Sequence, residues 1–189
     1  TTMTRSRLFQ FTLFLLITVN LISCAPTTVA LVPNPTPTAT QVATFTDPFA
    51  YCAAVGTIDA PDARYTGAKV PDVVAKGLMK ATNASADAPL DLFVRNSFWR
   101  CMDGKVVACT VGANLPCQSK ADLSKTPNDG MTNWCASNPN SDFIPAVATG
   151  RETVYEWRCA NGAPQIVRQV FTPDARGFIS DFWYVISQN

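Results

Sequence analysis

Trp99-Arg100-Cys101-Met102-Asp103-Gly104 recurs 58 residues later as Trp157-Arg158-Cys159-Ala160-Asn161-Gly162, each copy lying between apolar or aromatic runs. Asp-Gly and Asn-Gly accept positive φ at both central positions of a type I′ turn, the strongest short-range hairpin signal between apolar runs. Each phrase therefore reads as one β-hairpin: residues 90–101 with 105–111, and residues 151–171 around Asn161-Gly162. With Asp103 and Gly104 in the turn, Cys101 faces Val106, Trp99 faces Ala108 and Phe98 faces Cys109. Side chains alternate along a strand, so Trp99 and Cys101 share one face while Phe98, Arg100 and Cys109 take the other. Cys101 and Cys109 are then not a disulfide pair.

The second hairpin alternates more clearly. Thr153, Tyr155, Trp157 and Cys159 form its core face opposite Val170, Arg168, Ile166 and Pro164, whereas Val154, Glu156 and Arg158 face away. Arg168 is expected over the Tyr155 ring as a rim cation–π pair. Arg100 and Arg158, placed alike by the repeat, are left facing outward with Glu156 as a candidate binding surface.

Working outward, residues 178–186 read as a last strand that completes a three-stranded antiparallel meander with the second hairpin. Val74, Leu78 and Ala81 share one face at helical spacing and predict a helix over 71–82, weakened by Gly77. A second short helix is expected over 131–137, bearing Trp134 and Cys135. The expected class is α+β: an antiparallel β-sheet of two hairpins plus a C-terminal strand, one or two short helices, and disulfide cross-links.

The front of the chain has a different texture. Arg5 and Arg7 precede an apolar stretch at 8–22, about 15 residues long, which suits a signal-peptide core better than a membrane span of roughly 20. It ends in Leu21-Ile22-Ser23-Cys24. These residues resemble the lipobox of bacterial lipoproteins, which implies that residues 1–23 are a signal peptide and that Cys24 is acylated and becomes the first residue. Several acyl chains give stable anchoring where one is marginal. Ala25 in the second position implies the outer membrane in a two-membrane cell, on its periplasmic or surface face. Residues 24–47 then form a tether, uncharged from Ala25 to Thr46 and rich in Thr and Pro. Extended at about 3.1 Å per residue, it reaches on the order of 70 Å. A single globular domain is expected over 48–189.

Setting Cys24 aside for lipid leaves Cys52, Cys101, Cys109, Cys117, Cys135 and Cys159. An even number in an exported body argues for disulfides, and six cysteines allow 15 connectivities. Cys117 with Cys135 is the leading pair, and Cys52 with Cys109 and Cys101 with Cys159 complete one consistent map. No Cys-x-x-Cys occurs, which argues against thioredoxin-like redox chemistry and zinc-ribbon spacing.

The chain carries no histidine, so histidine-activated nucleophiles and His-containing zinc sites are excluded. Its formal net charge is +1, and no basic patch offers a footprint for nucleic acid. Glu156 on the polar hairpin face and Asp181 on the adjacent strand could form the carboxylate pair that glycoside hydrolysis needs, but Glu156 lies beside Arg158 on a solvated face. The four tryptophans read first as core. No catalytic residue, cofactor or metal is expected.

Two resemblances bear on the body. Its Trp-Arg-Cys phrases, residues 112–117 (Gly-Ala-Asn-Leu-Pro-Cys) and residues 143–146 (Phe-Ile-Pro-Ala) resemble a group of disulfide-containing bacterial envelope lipoproteins, which implies no particular activity. Residues 155–162 with the strand after them are similar to the hairpin of membrane-bound inhibitors of c-type lysozyme. The expected function is a membrane-anchored, non-catalytic module binding a protein or a cell-wall glycan. Lysozyme inhibition and carboxylate-based wall-glycan hydrolysis are the alternatives.

Overall fold

The computed structural model describes residues 42–112 and 116–188. Cys24, the expected signal peptide and the Thr/Pro tether as far as residue 41 lie outside the described residues. Packed structure begins within the last residues assigned to the tether: Phe45 exchanges backbone hydrogen bonds with Arg64 and Thr66 and packs on the core. Among the described residues no helix is long and apolar enough to cross a membrane.

The fold is α+β, with five helices and five strands in two antiparallel sheets among the described residues. Helix α1 (Pro48–Val55) starts where the Asp47 carboxylate accepts a 2.7 Å hydrogen bond from the Ala50 N–H, with proline in the first turn. Helix α2 (Asp72–Ala81) buries Val74, Ala75 and Leu78, has Asp72 in its first turn and Lys80 in its last, and matches the expected helix.

Helix α3 (Leu90–Asn96) replaces the first half of the long strand expected from residue 90. Leu90, Phe93 and Val94 recur at helical spacing and pack against the core, and Asp91 and Arg95 pair at 2.7 Å across one turn. The strand proper is β1 (Ser97–Met102), paired with β2 (Lys105–Thr110) in the expected register, Cys101 opposite Val106, Trp99 opposite Ala108 and Phe98 opposite Cys109.

Helix α4 (Asp129–Ser137) is capped by Asn128, whose side chain accepts from the Met131 N–H at 2.8 Å. The one-turn α5 (Ala146–Thr149) precedes the second hairpin, β3 (Tyr155–Ala160) with β4 (Ala163–Gln169). Its register is as expected from Trp157 to the turn, but a bulge between Glu156 and Trp157 puts Arg168 opposite Glu156 rather than Tyr155. The two form an ion pair at 2.6 Å, and the expected Arg168–Tyr155 stack does not form. Both turns are of the expected kind: Asp103 and Gly104 have φ of 51° and 74°, Asn161 and Gly162 of 51° and 79°.

The C-terminal strand differs most. Residues 178–186 are broken by a 3-10 turn at Ser180–Phe182, and only β5 (Tyr184–Val185) is strand. It pairs with β2, so the order is β1-β2-β5 in one sheet and β3-β4 in the other, and no meander forms with the second hairpin.

The disulfides are Cys52–Cys101, Cys109–Cys117 and Cys135–Cys159, so all three expected pairings are corrected. Each bond joins elements that pack directly. Cys52 on α1 meets Cys101 on β1 within one core cluster, Cys135 on α4 meets Cys159 on β3 within a second, and Cys117 folds back onto β2. Cys117 and Cys135 sit in different packing neighbourhoods and cannot meet. Three disulfides fit an oxidising, extracytoplasmic compartment.

The sequence repeat is one part of a larger structural one. In both copies a helix carries an aromatic–cysteine pair, Tyr51-Cys52 or Trp134-Cys135, whose sulfur binds the Trp-Arg-Cys cysteine. The Gly104 and Gly162 N–H groups donate to Gly56 and Pro139 carbonyls, each four residues after the helical cysteine. One residue further, the Asp103 and Asn161 N–H groups donate to the side chains of Thr57 and Asn140. Cys101 and Cys159 N–H groups then donate to Ile58 and Ser141 carbonyls, closing the outer edges of β1 and β3. The folded body holds two helix–hairpin units of one design.

Candidate functional site

Arg100 and Arg158 occupy the same place in the two units and opposite environments. Arg100 is 1 % exposed, which overturns its expected outward position. Alternation does put it opposite Trp99, but residues 174–183 cover that face. Its guanidinium lies between the rings of Phe178 and Trp183, 4.5 and 4.4 Å from their centroids, and pairs with the Asp174 carboxylate. Asp174 is itself oriented by the Arg176 and Phe178 N–H groups at 2.8 and 3.1 Å. Arg158 faces solvent as expected, and its Nε and Nη2 donate to Gln165 Oε1 at 2.9 and 2.6 Å.

Glu156 is held by Arg168, while Asp181 accepts from the Thr172 N–H at 3.2 Å. Each carboxylate of the hydrolase alternative is thus engaged by its own neighbours. Nor does the structure bring Arg100 and Arg158 to one surface.

The same cover that buries Arg100 makes one wall of a groove of about 730 Å³. It is lined by Phe178, Trp183, Gln118 and Lys120, by the loop through Asp59, Asp62 and Tyr65, and by Ser97, Phe98 and Trp99 of β1. The tryptophan is fixed from behind, its indole N–H donating to the Lys69 carbonyl at 2.7 Å and its ring meeting Tyr65 edge-on at 4.8 Å. Gly67 allows this approach: a Cβ there meets the Tyr65 hydroxyl at 2.3 Å and the Thr46 carbonyl at 2.6 Å.

Polar groups in the groove divide into satisfied and unsatisfied ones. Lys120 Nζ sits 3.5 Å from the Phe178 ring centre and donates to Asp59 at 2.8 Å and to the Arg176 carbonyl at 2.7 Å. Asp59 also accepts from Arg176 Nε at 2.8 Å, and hydrogen bonding to that guanidinium leads the effects that hold its carboxyl at about 2. Asp62 is likewise held at about 2, first by its hydrogen bond with Arg64. By contrast the Ser97 hydroxyl, in a residue 1 % exposed, and the Tyr65 hydroxyl have no hydrogen-bond partner. Burial raises the Tyr65 phenol above its ordinary range, so it stays a neutral donor. Lys69, beside Phe98 at 5.9 Å, brings a cation to the groove.

Sequence reasoning missed this site because its walls come from four separated segments. Its local signals were aromatic residues that read equally well as core. Comparison with protein-family models, with curated proteins and with solved structures finds no match.

Proposed function

We propose that the protein is a lipid-anchored, non-catalytic binding module of the cell envelope, and that the aromatic groove takes its ligand. The observation that carries this reading is a pair of buried, unpartnered hydroxyls, Ser97 and Tyr65, at a groove whose partly exposed aromatic walls are Phe98 and Trp183. Buried polar groups are normally hydrogen-bonded, so two orphans in one groove mark where a ligand's polar atoms complete the set. Aromatic faces accept the apolar face of a sugar ring, and Lys69 favours a negative group on it. A cell-wall glycan bearing a carboxylate has all three features. Anchoring through Cys24 on a long tether suits capture of such a ligand near a membrane.

The test is a titration of the purified protein with soluble muropeptides, read by tryptophan fluorescence. Saturable binding that weakens in Ser97→Ala and Lys69→Gln supports the reading. Binding unchanged in both variants, or no binding at millimolar fragment, refutes the groove assignment. For the anchor, Cys24→Ala abolishes acyl labelling and releases the protein from membranes; unchanged labelling refutes it.

A further inference from the structure

The two units differ in what covers the outer face of the hairpin. In the first, residues 174–186 supply the cover: Asp174 pairs with Arg100, Phe178 and Trp183 sandwich its guanidinium, and β5 adds to the outer edge of β2. There Val185 lies opposite Val107, Tyr184 opposite Ala108, and the Ile186 N–H donates to the Val106 carbonyl at 2.9 Å. The result is a face with Arg100, Val107 and Cys109 at 6 % exposure or less.

In the second unit the counterparts of Arg100, Val107 and Cys109 are Arg158, Gln165 and Val167, all exposed, Val167 by 47 %. Among the described residues no strand pairs with the outer edge of β4, whereas the outer edge of β3 is closed by the 141–144 segment just as Ile58 closes β1. Among the described residues Arg158 donates to the neutral Gln165, where its counterpart has a carboxylate. The design is the same and one part is missing.

We propose that the outer face and free edge of β4 form a docking surface for an extended segment of a partner protein. That segment pairs as an added strand along residues 164–167, where Pro164, the counterpart of Val106, offers its carbonyl and no N–H, presents a carboxylate to Arg158, and lays aromatic side chains over its guanidinium and Val167. The occupant's chemistry is taken from the cover of the first unit, the one solution to this face that the molecule itself contains. Main-chain bonds along a sheet edge supply affinity, and the side chains over alternate residues supply specificity. The surface is independent of the groove, so either assignment stands or falls alone.

The probe is a fluorescent peptide of residues 172–187 of this chain, which carries the acid, the rings and the strand in their native order. It is titrated into the full-length protein in detergent micelles and followed by anisotropy and by amide chemical shifts. We expect saturable binding with shifts centred on 163–169. Arg158→Ala in the protein, or Asp174→Asn in the peptide, weakens it by about tenfold or more, the scale of losing one partner of a desolvated charge pair. Arg158 is exposed, so its variant folds, as an unchanged amide spectrum away from β4 verifies. Shifts confined to β2, meaning the peptide only exchanges with the native cover, overturn the proposal. So does binding that Arg158→Ala leaves intact, or concentration-dependent dimerisation lost in that variant, which assigns the face to a second copy.

Discussion

Arg100 decides more of this structure than any other single side chain. A guanidinium with almost no exposure is tolerable only when its charge is matched, and here one carboxylate and two ring faces match it. Arg100→Ala leaves the largely buried Asp174 carboxylate without its guanidinium partner, and we expect a loss of about 3–5 kcal/mol in chemical denaturation. The double variant Arg100→Met, Asp174→Asn removes both charges while keeping volume, and is expected to recover most of that loss; a double variant as unstable as the single one contradicts the charge argument. Gly77 is a second case in which two effects compete. Alanine gains about 1 kcal/mol of helix propensity. Its Cβ, however, meets Ile186 Cγ2 at 2.4 Å inside the core, and overpacking costs about 1–3 kcal/mol, so Gly77→Ala is expected to lower the denaturation midpoint. The positive φ at Asp103 and Asn161 was legible because it is a property of two adjacent residues. The burial of Arg100 was not, because its cover arrives from 74 residues downstream.

At the scale of elements, local signals and packing separate in the same way. α2, α4 and both turns carry their own start signals and periodicity. α1 has its own start signal in Asp47-Pro48, a cap followed by proline. α3 was lost because residues 90–101 are apolar enough to continue as one strand, although the spacing of Leu90, Phe93 and Val94 and of Asp91 and Arg95 is helical. Disulfide connectivity was illegible in principle, since 15 maps satisfy the same cysteines until the helices are placed against the hairpins. The observed map yields a ranking. Closing separations of 49, 24 and 8 residues removes chain entropy worth about 4, 3.5 and 2.6 kcal/mol respectively. Paired Cys→Ala replacements are expected to destabilise in that order, Cys52/Cys101 most and Cys109/Cys117 least. Denaturation midpoints check it, and a reversed order means that native packing rather than unfolded-chain entropy dominates.

In the folded body as a whole, two helix–hairpin units need something to hold the loop after the first helix against the chain that returns from the second hairpin. Asp59 does this: its carboxylate receives Lys120 and Arg176, joining three segments that are far apart in sequence at the rim of the groove. Its carboxyl lies at about 2 in the folded protein against an ordinary 3.8. A lowered carboxyl adds stability at pH above the ordinary value, and that contribution disappears as pH falls from about 4 through 2. Because the clasp is partly solvated, salt weakens it as well. Asp59→Asn is therefore expected to be less stable than the parent at pH 7, with the difference shrinking to nothing near pH 2 and narrowing in high salt. Denaturant midpoints at pH 7, 4 and 2 measure this directly, and parallel profiles for the two proteins contradict it. Asp59 and Lys120 also both line the groove, so the clasp holds part of its rim in place. The same variant should weaken ligand capture in the groove at pH 7 while leaving peptide docking on β4 unchanged, separating the two surfaces with one substitution.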